Sequence, residues 1–502
     1  MEHLRGKGKA FRPETFQKPS ARARGWGGIS PTEDMVPTIA HHEKPTFSQL
    51  LIWGTVRGYF WSGIGQALSA ANSFVVIAAL SVYEFGLYQL VLSVIAITDS
   101  LLSGLFDDVL SNEVARSFAE GRRDHAKRLF LEYASFKIAL GIAAFLALFA
   151  GAQLIAVHYD KDIATLIRIA SMFFIVNAIS EVVSIFFRTT ISYRAMGAGA
   201  VQEFVRLALL LTFWARHALT LKELFIISIV TAGVSFLYVG WSFSREYRLA
   251  FGHVPMKRAW LMVGVVRQYG GWILMRYGIS KVFKQIDPIL VRIFLSTEAV
   301  GITSAATTGF TYMQQVFPLR SVTTLLPRII GDEARFGSAY RRGIKYLFWI
   351  GCAAVIASAA AVPVGIIVLL PKYQSAIPLF LLILVNIPLY GIYKFQKSSL
   401  IVLREQKILT MRLLTEGVAT AAILAALLPI IGIYALAMDI FLSYSWRVYF
   451  NTSMLARRYP HLRLFPRKLF SYEAEDKEFF IQAFRELFRP RAWFRPVRAG
   501  DA

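Results

Sequence analysis

Residues 341–372 read RRGIKYLFWIGCAAVIASAAAVPVGIIVLLPK. Arg341 and Arg342 crowd one end and a single Lys372 follows the other. The apolar run between them exceeds the roughly 20 residues that a helix needs to cross a bilayer. The rest of the chain repeats this design. Spanning-length segments fall near 57–80, 86–106, 133–157, 163–187, 200–218 and 223–243, then near 273–295, 300–326, 344–370, 376–402, 410–430 and 432–452. Bulk properties agree: 56% of the 502 residues are hydrophobic and the mean hydropathy is +0.49, far too apolar for a soluble chain of this length.

The connections alternate in charge. With the N-terminus in the cytoplasm, the inner connections hold Arg116, Arg122, Arg123, Lys127 and Arg128; Arg188 and Arg194; Arg245, Arg248, Lys257, Arg258 and Arg267; Arg328, Arg335, Arg341 and Arg342; and Arg404 and Lys407. The outer ones offer only Lys161, Arg216 or Lys222, and Lys372. Lysine and arginine concentrate on the cytoplasmic side of membrane proteins, so both termini are expected inside. The same bias explains most of the net charge of +23 and removes nucleic acid as the implied partner. Cys352, the lone cysteine, lies in an apolar segment and excludes an intramolecular disulfide or a cysteine zinc site. Residues 1–50 are polar and basic without the short apolar core of a signal peptide, and read as a mostly disordered cytoplasmic tail.

The outer connections are only a few residues long. An enzyme that polymerises or ligates glycans on the outer face usually carries a large external loop, and this pattern opposes that reading. Nothing resembles a nucleophile–base pair, a metal box or a phosphate-binding glycine loop, so no enzymatic chemistry and no cofactor are expected. The chain also repeats. Val82-Tyr83-Glu84-Phe85-Gly86-Leu87-Tyr88 corresponds to Thr297-Glu298-Ala299-Val300-Gly301-Ile302-Thr303, and the stretch from Asn177 to Arg188 parallels that from Asn386 to Lys397. Six segments per half is an even number, which makes the repeat parallel, about an axis along the membrane normal. Carriers built this way bind substrate between their halves and rock to alternate access.

Charges inside the apolar segments are costly, and usually face a cavity or each other. The densest set is Lys281, Lys284, Asp287 and Arg292 on the seventh segment. At about 100° per residue, Lys281, Lys284 and Arg292 share one face with Tyr277 and Pro288. Asp287 lies to the side, in reach of Lys284 at i,i+3. Arg292 is close enough to the outer surface to snorkel, whereas Lys281 and Lys284 are too deep. Arg206 and Glu203 on the fifth segment form either a mutual pair or part of a site. Tyr390, Lys394 and Lys397 run along the tenth, as a basic vestibule or as snorkelling cations; Arg188, Arg57 and Arg320 are similar. Asp99, Glu181 and Asp439 either bind a coupling ion or neutralise a cation. Most aromatics belong to core and interface, with Tyr277, Tyr312 and Trp272 placed to stack on sugar. A cationic cavity favours an anionic headgroup as cargo.

These residues resemble a known family. The stretches Val282-Phe283-Lys284-Gln285-Ile286-Asp287-Pro288-Ile289-Leu290, Phe294-Leu295-Ser296-Thr297-Glu298-Ala299-Val300-Gly301 and Leu325-Leu326-Pro327-Arg328-Ile329 look like the central signature of the Wzx-type polysaccharide flippases, in the multidrug/oligosaccharidyl-lipid/polysaccharide exporter superfamily. Glu84-Phe85-Gly86-Leu87-Tyr88, residues 369–379 and Ile431-Gly432-Ile433-Tyr434-Ala435-Leu436-Ala437 agree in order. The resemblance covers about residues 50–455.

It implies an all-α, MATE-like membrane protein of about twelve helices, in two six-helix lobes around a central cavity. The divisions expected are a tail at 1–50, lobes at 51–245 and 273–455, a cytoplasmic linker at 246–272 and a basic amphipathic tail at 456–502. The implied activity is transfer of an undecaprenyl-pyrophosphate-linked oligosaccharide across the bacterial inner membrane, for an O-antigen or exopolysaccharide. Lys281, Lys284 and Arg206 match the cavity cations, with Asp287 as partner, and an H+ or Na+ gradient as drive. Glycan polymerase and glycosyltransferases of the same route are the expected protein partners. A multidrug or cation antiporter of the same superfamily is the nearest rival, and would be expected to carry acids as its main deep charges. In the C-terminal tail, Phe479, Phe480, Phe484, Leu487 and Phe488 repeat at helical spacing among Arg485, Arg489 and Arg491. They suggest either a helix lying on the inner leaflet or a solvated or partner-bound tail.

Overall fold

The computed structural model describes residues 47–102, 113–114, 117, 120–158, 163–189, 197–255, 261–263, 279–315, 333–403 and 405–464. These residues are helical throughout, without a strand. The first half comprises α1 (Phe47–Ala79), α2 (Val82–Leu102), α3 (Arg123–His158), α4 (Ile163–Ser171), α5 (Phe173–Thr189), α6 (Ala198–Ala215) and α7 (Leu221–Phe251). The second comprises α8 (Ile279–Phe294), α9 (Thr297–Gln315), α10 (Glu333–Leu369), α11 (Ile377–Leu384), α12 (Ile387–Val402), α13 (Gln406–Ile431) and α14 (Tyr434–Arg458). Both tails beyond residues 47 and 464 lie outside the described residues, as do Arg320, Tyr277 and Trp272.

Two expected segments are each broken rather than continuous. The fourth splits into α4 and α5 at Met172, and the tenth bends by 48° between residues 371–384 and α12. In the tenth the cause is local. Pro388 sits in the first turn of α12, where a helix begins readily but cannot continue from the preceding one, and the buried Asn386 before it turns its side chain back to donate to the Ile383 carbonyl at 3.0 Å. With each broken pair taken as one segment, the fourteen helices occupy the twelve expected positions in order. Seven are long and apolar enough to span a membrane by that measure alone, or eight with the bent pair. The others are compatible with spans.

Surface and core are inverted relative to a soluble protein. Leu154, Val157, Leu237, Trp241, Ile356 and Ile430 are 72–76% exposed, while Lys137, Lys345, Arg412, Glu416 and Asp439 are buried. Large apolar side chains face outward in such number only where lipid is the solvent. Every third segment also overruns its apolar window at one end: α3, α7, α10 and α14 extend to Arg123, Phe251, Glu333 and Arg458. That is the end where the arginines cluster. At the base of the first half, Lys127 Nζ donates to the carbonyls of Phe251 and Val254 at 2.9 and 2.6 Å. Glu132 Oε2 accepts the amides of Leu261 and Met262 at 2.8 Å each, tying the segment after α7 to α3.

The repeat is visible in the packing. In each half the third segment packs on the fourth, the fourth on the sixth, the fifth on the sixth and the second on the fourth. The halves meet most extensively along α2 and α9. Here Gly86 lies on the Thr297 carbonyl, and Gly301 on the Val82 carbonyl, so closely that a Cβ at either glycine would overlap it. One constant shift in numbering relates Gly86 to Gly301 and Val82 to Thr297. Residue i meeting j′ while i′ meets j is what a two-fold axis through the contact requires. The helix starts match too. Ser81 and Glu84 form a capping box, with Ser81 N–H donating to Glu84 Oε2 at 2.9 Å, and Ser296 Oγ accepts the Ala299 amide at 3.1 Å.

Candidate functional site

A cavity of about 280 Å³ opens between α2, α8 and α9. Gln89 and Ser93 line it from α2; Gln285, Asp287, Pro288 and Val291 from α8; and Thr303, Ser304, Thr307, Thr308 and Thr311 from α9, with Leu436 of α14. A second space of similar size continues it past Thr307, Thr308 and Thr311 to Ser69, Ser73 and Tyr312. The hydroxyl row on α9 is compatible with a helix because each threonine bonds back along it. Thr303, Thr307 and Thr311 donate to the carbonyls of Ala299, Thr303 and Thr307 at 2.8, 3.0 and 2.9 Å. The donors of these three threonines are thus occupied within the helix, and each hydroxyl oxygen remains an acceptor. Tyr312 crosses to α1, sharing a 2.6 Å hydrogen bond with Ser73 and donating to the Ser69 carbonyl at 3.0 Å.

The end of the bundle that the charge pattern puts outside is closed around α2 and α9. Lys372 Nζ donates to the carbonyls of Ala78, at 2.7 Å, and Leu80, bridging the second half to the end of α1. The Tyr373 ring meets Phe85 edge-on at 6.0 Å.

The expected site residues fall in several places. Asp287 lines the cavity, and its Oδ1 is buried without a hydrogen-bond partner. Lys281 and Lys284 lie in the same helix, but their side chains are outside the described residues. Arg292 is half-buried near the end of α8 and is engaged there. Arg206 and Glu203 each bond to another helix. Arg206 Nη2 donates to the Tyr88 hydroxyl at 3.2 Å, and Glu203 Oε2 accepts from Asn72 Nδ2 at 2.6 Å. Asp439 is buried on α14, within electrostatic reach of Asp287, and its Oδ1 also lacks a hydrogen-bond partner. Asp99 is half-buried and engaged on α2. Glu181 forms an ion pair with Lys137 of α3, whose side chain is 1% exposed, and accepts from Asn177 Nδ2 at 3.3 Å. Lys394 lies 5.3 Å from the centre of the Tyr390 ring, and Lys397 is near the Tyr393 phenol. The side chains of Arg57 and Arg188 are outside the described residues.

The model of a polysaccharide biosynthesis protein family matches residues 76–377, more than half of the chain. The chain belongs to that family. No curated protein matches its sequence. Among solved structures, this family member is similar to an inward-facing multidrug resistance MATE transporter of the MOP superfamily, with a TM-score of 0.66 at 13% identity over 82% of this chain and 98% of that one. It is similar to the lipid II flippase MurJ in an inward closed conformation, with a TM-score of 0.65 at 11% identity over 87% and 92%. It also resembles the MATE multidrug transporter DinF-BH in complex with R6G, with a TM-score of 0.60 at 12% identity over 84% and 98%. These likenesses show a shared fold.

Sequence reading missed three deep cations of this family member: Lys137, Arg412 and Arg447. Arg447 Nε donates to Glu416 Oε1 at 2.7 Å, and its guanidinium lies 4.4 Å from the centre of the Tyr444 ring. Two spacings carried the signal, Arg412 with Glu416 at i,i+4 and Tyr444 with Arg447 at i,i+3. Nothing local marks Lys137, whose partner Glu181 is on another helix.

Proposed function

We propose that this protein flips a polyprenyl-pyrophosphate-linked oligosaccharide from the inner to the outer leaflet of the bacterial inner membrane, with both termini cytoplasmic. The observation that carries this reading is the polar cavity between the two halves, bounded by α8. Position 284 falls one turn before Pro288 and three residues before Asp287, on the strip of α8 that those two bring to the cavity. Lys281 continues that strip. A pyrophosphate entering a low-dielectric site gains strongly from such cations. A neutral or weakly polar glycan is suited by the hydroxyls of α9 and the ring of Tyr312.

Rocking about the α2–α9 contact supplies the alternation. Its outer end is held by close helix packing and by Lys372, and both must release for the cavity to open outward. Asp287 and Asp439, two neighbouring buried carboxylates with free acceptor oxygens, are the residues we assign to a coupling H+ or Na+. Family membership supports a carrier over an enzyme. The outer connections, two to seven residues long where described, also leave little room for acceptor chemistry. The antiporter reading draws on Asp287, the one charged residue among those described lining the cavity, and the flippase reading is preferred to it on family membership and on the positions of Lys281 and Lys284 along α8.

Replacing both Lys281 and Lys284 with alanine is expected to cut glycan export at least tenfold at unchanged protein level. That fall corresponds to the loss of about 1.4 kcal/mol or more of transition-state stabilisation. Undiminished export by the double variant would remove these lysines from the mechanism.

A further inference from the structure

The two halves are tied across the cavity as well as at its outer end. Tyr312 of α9 reaches α1 roughly 16 Å below the Gly301 contact, eleven residues further along at about 1.5 Å each. Its hydroxyl donates to the Ser69 carbonyl at 3.0 Å, which uses its one proton. The 2.6 Å bond to Ser73 therefore runs from the serine to the phenol oxygen. All three residues line the space that continues the cavity, so cargo entering that space meets these two bonds.

The surroundings of α1 differ on either side of the tie. Outward of it Val75, Val76 and Ile77 are buried, and Asn72 is bonded to Glu203 of α6. Inward of it α1 is less covered: Gly63, Gln66 and Ala67 are exposed, and a Cβ at Gly63 would meet nothing within 4 Å. Gln66, Ser69 and Ser73 share one face at i, i+3 and i+7, so the polar strip that Tyr312 touches continues into the open part of the helix. The Tyr312 bonds thus hold this face of α1, a helix of the first half, to the second half at the depth of the cavity.

We infer that the tie from Tyr312 to Ser69 and Ser73 makes passage depend on sugar: a hydroxyl of the glycan takes the place of the phenol on α1 and so frees α1 for rocking. A sugar hydroxyl carries one donor and acceptor lone pairs, as the phenol does. It can donate to the Ser69 carbonyl and accept from Ser73, leaving neither group unmade. The oxygens of a bare pyrophosphate are acceptors and give nothing to a carbonyl, so a carrier lipid without sugar leaves the tie closed. This rests on the flippase reading and adds to it a residue that tells loaded carrier lipid from empty.

The test reconstitutes the full chain in vesicles containing either a polyprenyl-pyrophosphate-linked oligosaccharide or the sugar-free polyprenyl pyrophosphate. A membrane-impermeant enzyme that cleaves pyrophosphate at the outer surface follows both. The unmodified protein is expected to transfer the glycan-bearing lipid at least tenfold faster, a difference of about 1.4 kcal/mol, the scale of one or two neutral hydrogen bonds. Tyr312→Phe keeps the ring without the hydroxyl, and is expected to lose most of this preference through faster transfer of the sugar-free lipid. Ser73→Ala removes one of the two bonds and is expected to lose part of it. A melting curve verifies that each variant folds, and damage to packing alone would slow both lipids together. Equal transfer of the two lipids by the unmodified protein, or an undiminished preference in the folded variants, overturns the tie and leaves the flippase reading standing. No transfer of the glycan-bearing lipid by the unmodified protein overturns the flippase reading and the tie's role with it.

Discussion

Replacing Glu181 with alanine is expected to destabilise the protein by about 3 kcal/mol, because it strands the Lys137 ammonium without its counter-charge. Breaking one side of a buried ion pair costs about 3–5 kcal/mol, and the lower end applies here because Glu181 retains 28% side-chain exposure. The pair joins α3 to α5, the third and fourth segments of the first half, so the loss falls on the packing of that half. A melting curve in detergent measures it. The double variant Lys137→Met with Glu181→Leu removes both charges and is expected to recover most of the stability, since apolar replacement of a buried pair is often neutral or better. A single Glu181 variant as stable as the parent would mean that Lys137 finds another acceptor. It would then return Glu181 to the candidates for the coupling ion.

The second large effect is expected at the contact between the halves. Gly301→Val forces a branched side chain against the Val82 carbonyl, and even the Cβ of alanine overlaps it. Overpacking against side chains costs about 1–3 kcal/mol, and backbone in a helix start yields less readily, so the upper end or more is expected. Gly86→Val meets Thr297 in the same way and should behave as its twin. Gly365→Ala, with nothing within 4 Å of the added carbon, serves as the neutral control. Export and melting temperature should fall together in the first two variants and remain unchanged in the third. If Gly86 and Gly301 gave unequal effects, the contact would not act as a symmetric pivot.

The positions of the helices were legible in sequence because length and hydropathy decide them almost alone, and seven or eight of the twelve expected spans are long and apolar enough to cross a membrane. The repeat was legible in two matches, and the seven-residue one falls on the contact that joins the halves. Breaks within segments were less visible. Asn386 and Pro388 announce the bend before α12, whereas Ser171 and Met172 contain no residue that stops a helix. The site was read through its charges, which brought Asp287 and Asp439 into view. It passed over Thr303, Thr307 and Thr311, although their i,i+4 spacing was plain. Ion pairs such as Lys137 with Glu181 depend on which helices become neighbours, and hydropathy carries no such information. Arg412 and Arg447 show the same limit: each is one cation in an apolar run until α12, α13 and α14 bring them to a shared tyrosine.

The central claim is that the cavity between the halves carries a lipid-linked glycan across the bilayer. The most direct measurement reconstitutes the purified chain in vesicles containing a polyprenyl-pyrophosphate-linked oligosaccharide, and follows its transfer between leaflets with a sugar-modifying reagent outside. The account predicts transfer well above protein-free vesicles, reduced at least tenfold by Lys281→Ala with Lys284→Ala at equal incorporation. Transfer no faster than in protein-free vesicles would contradict it.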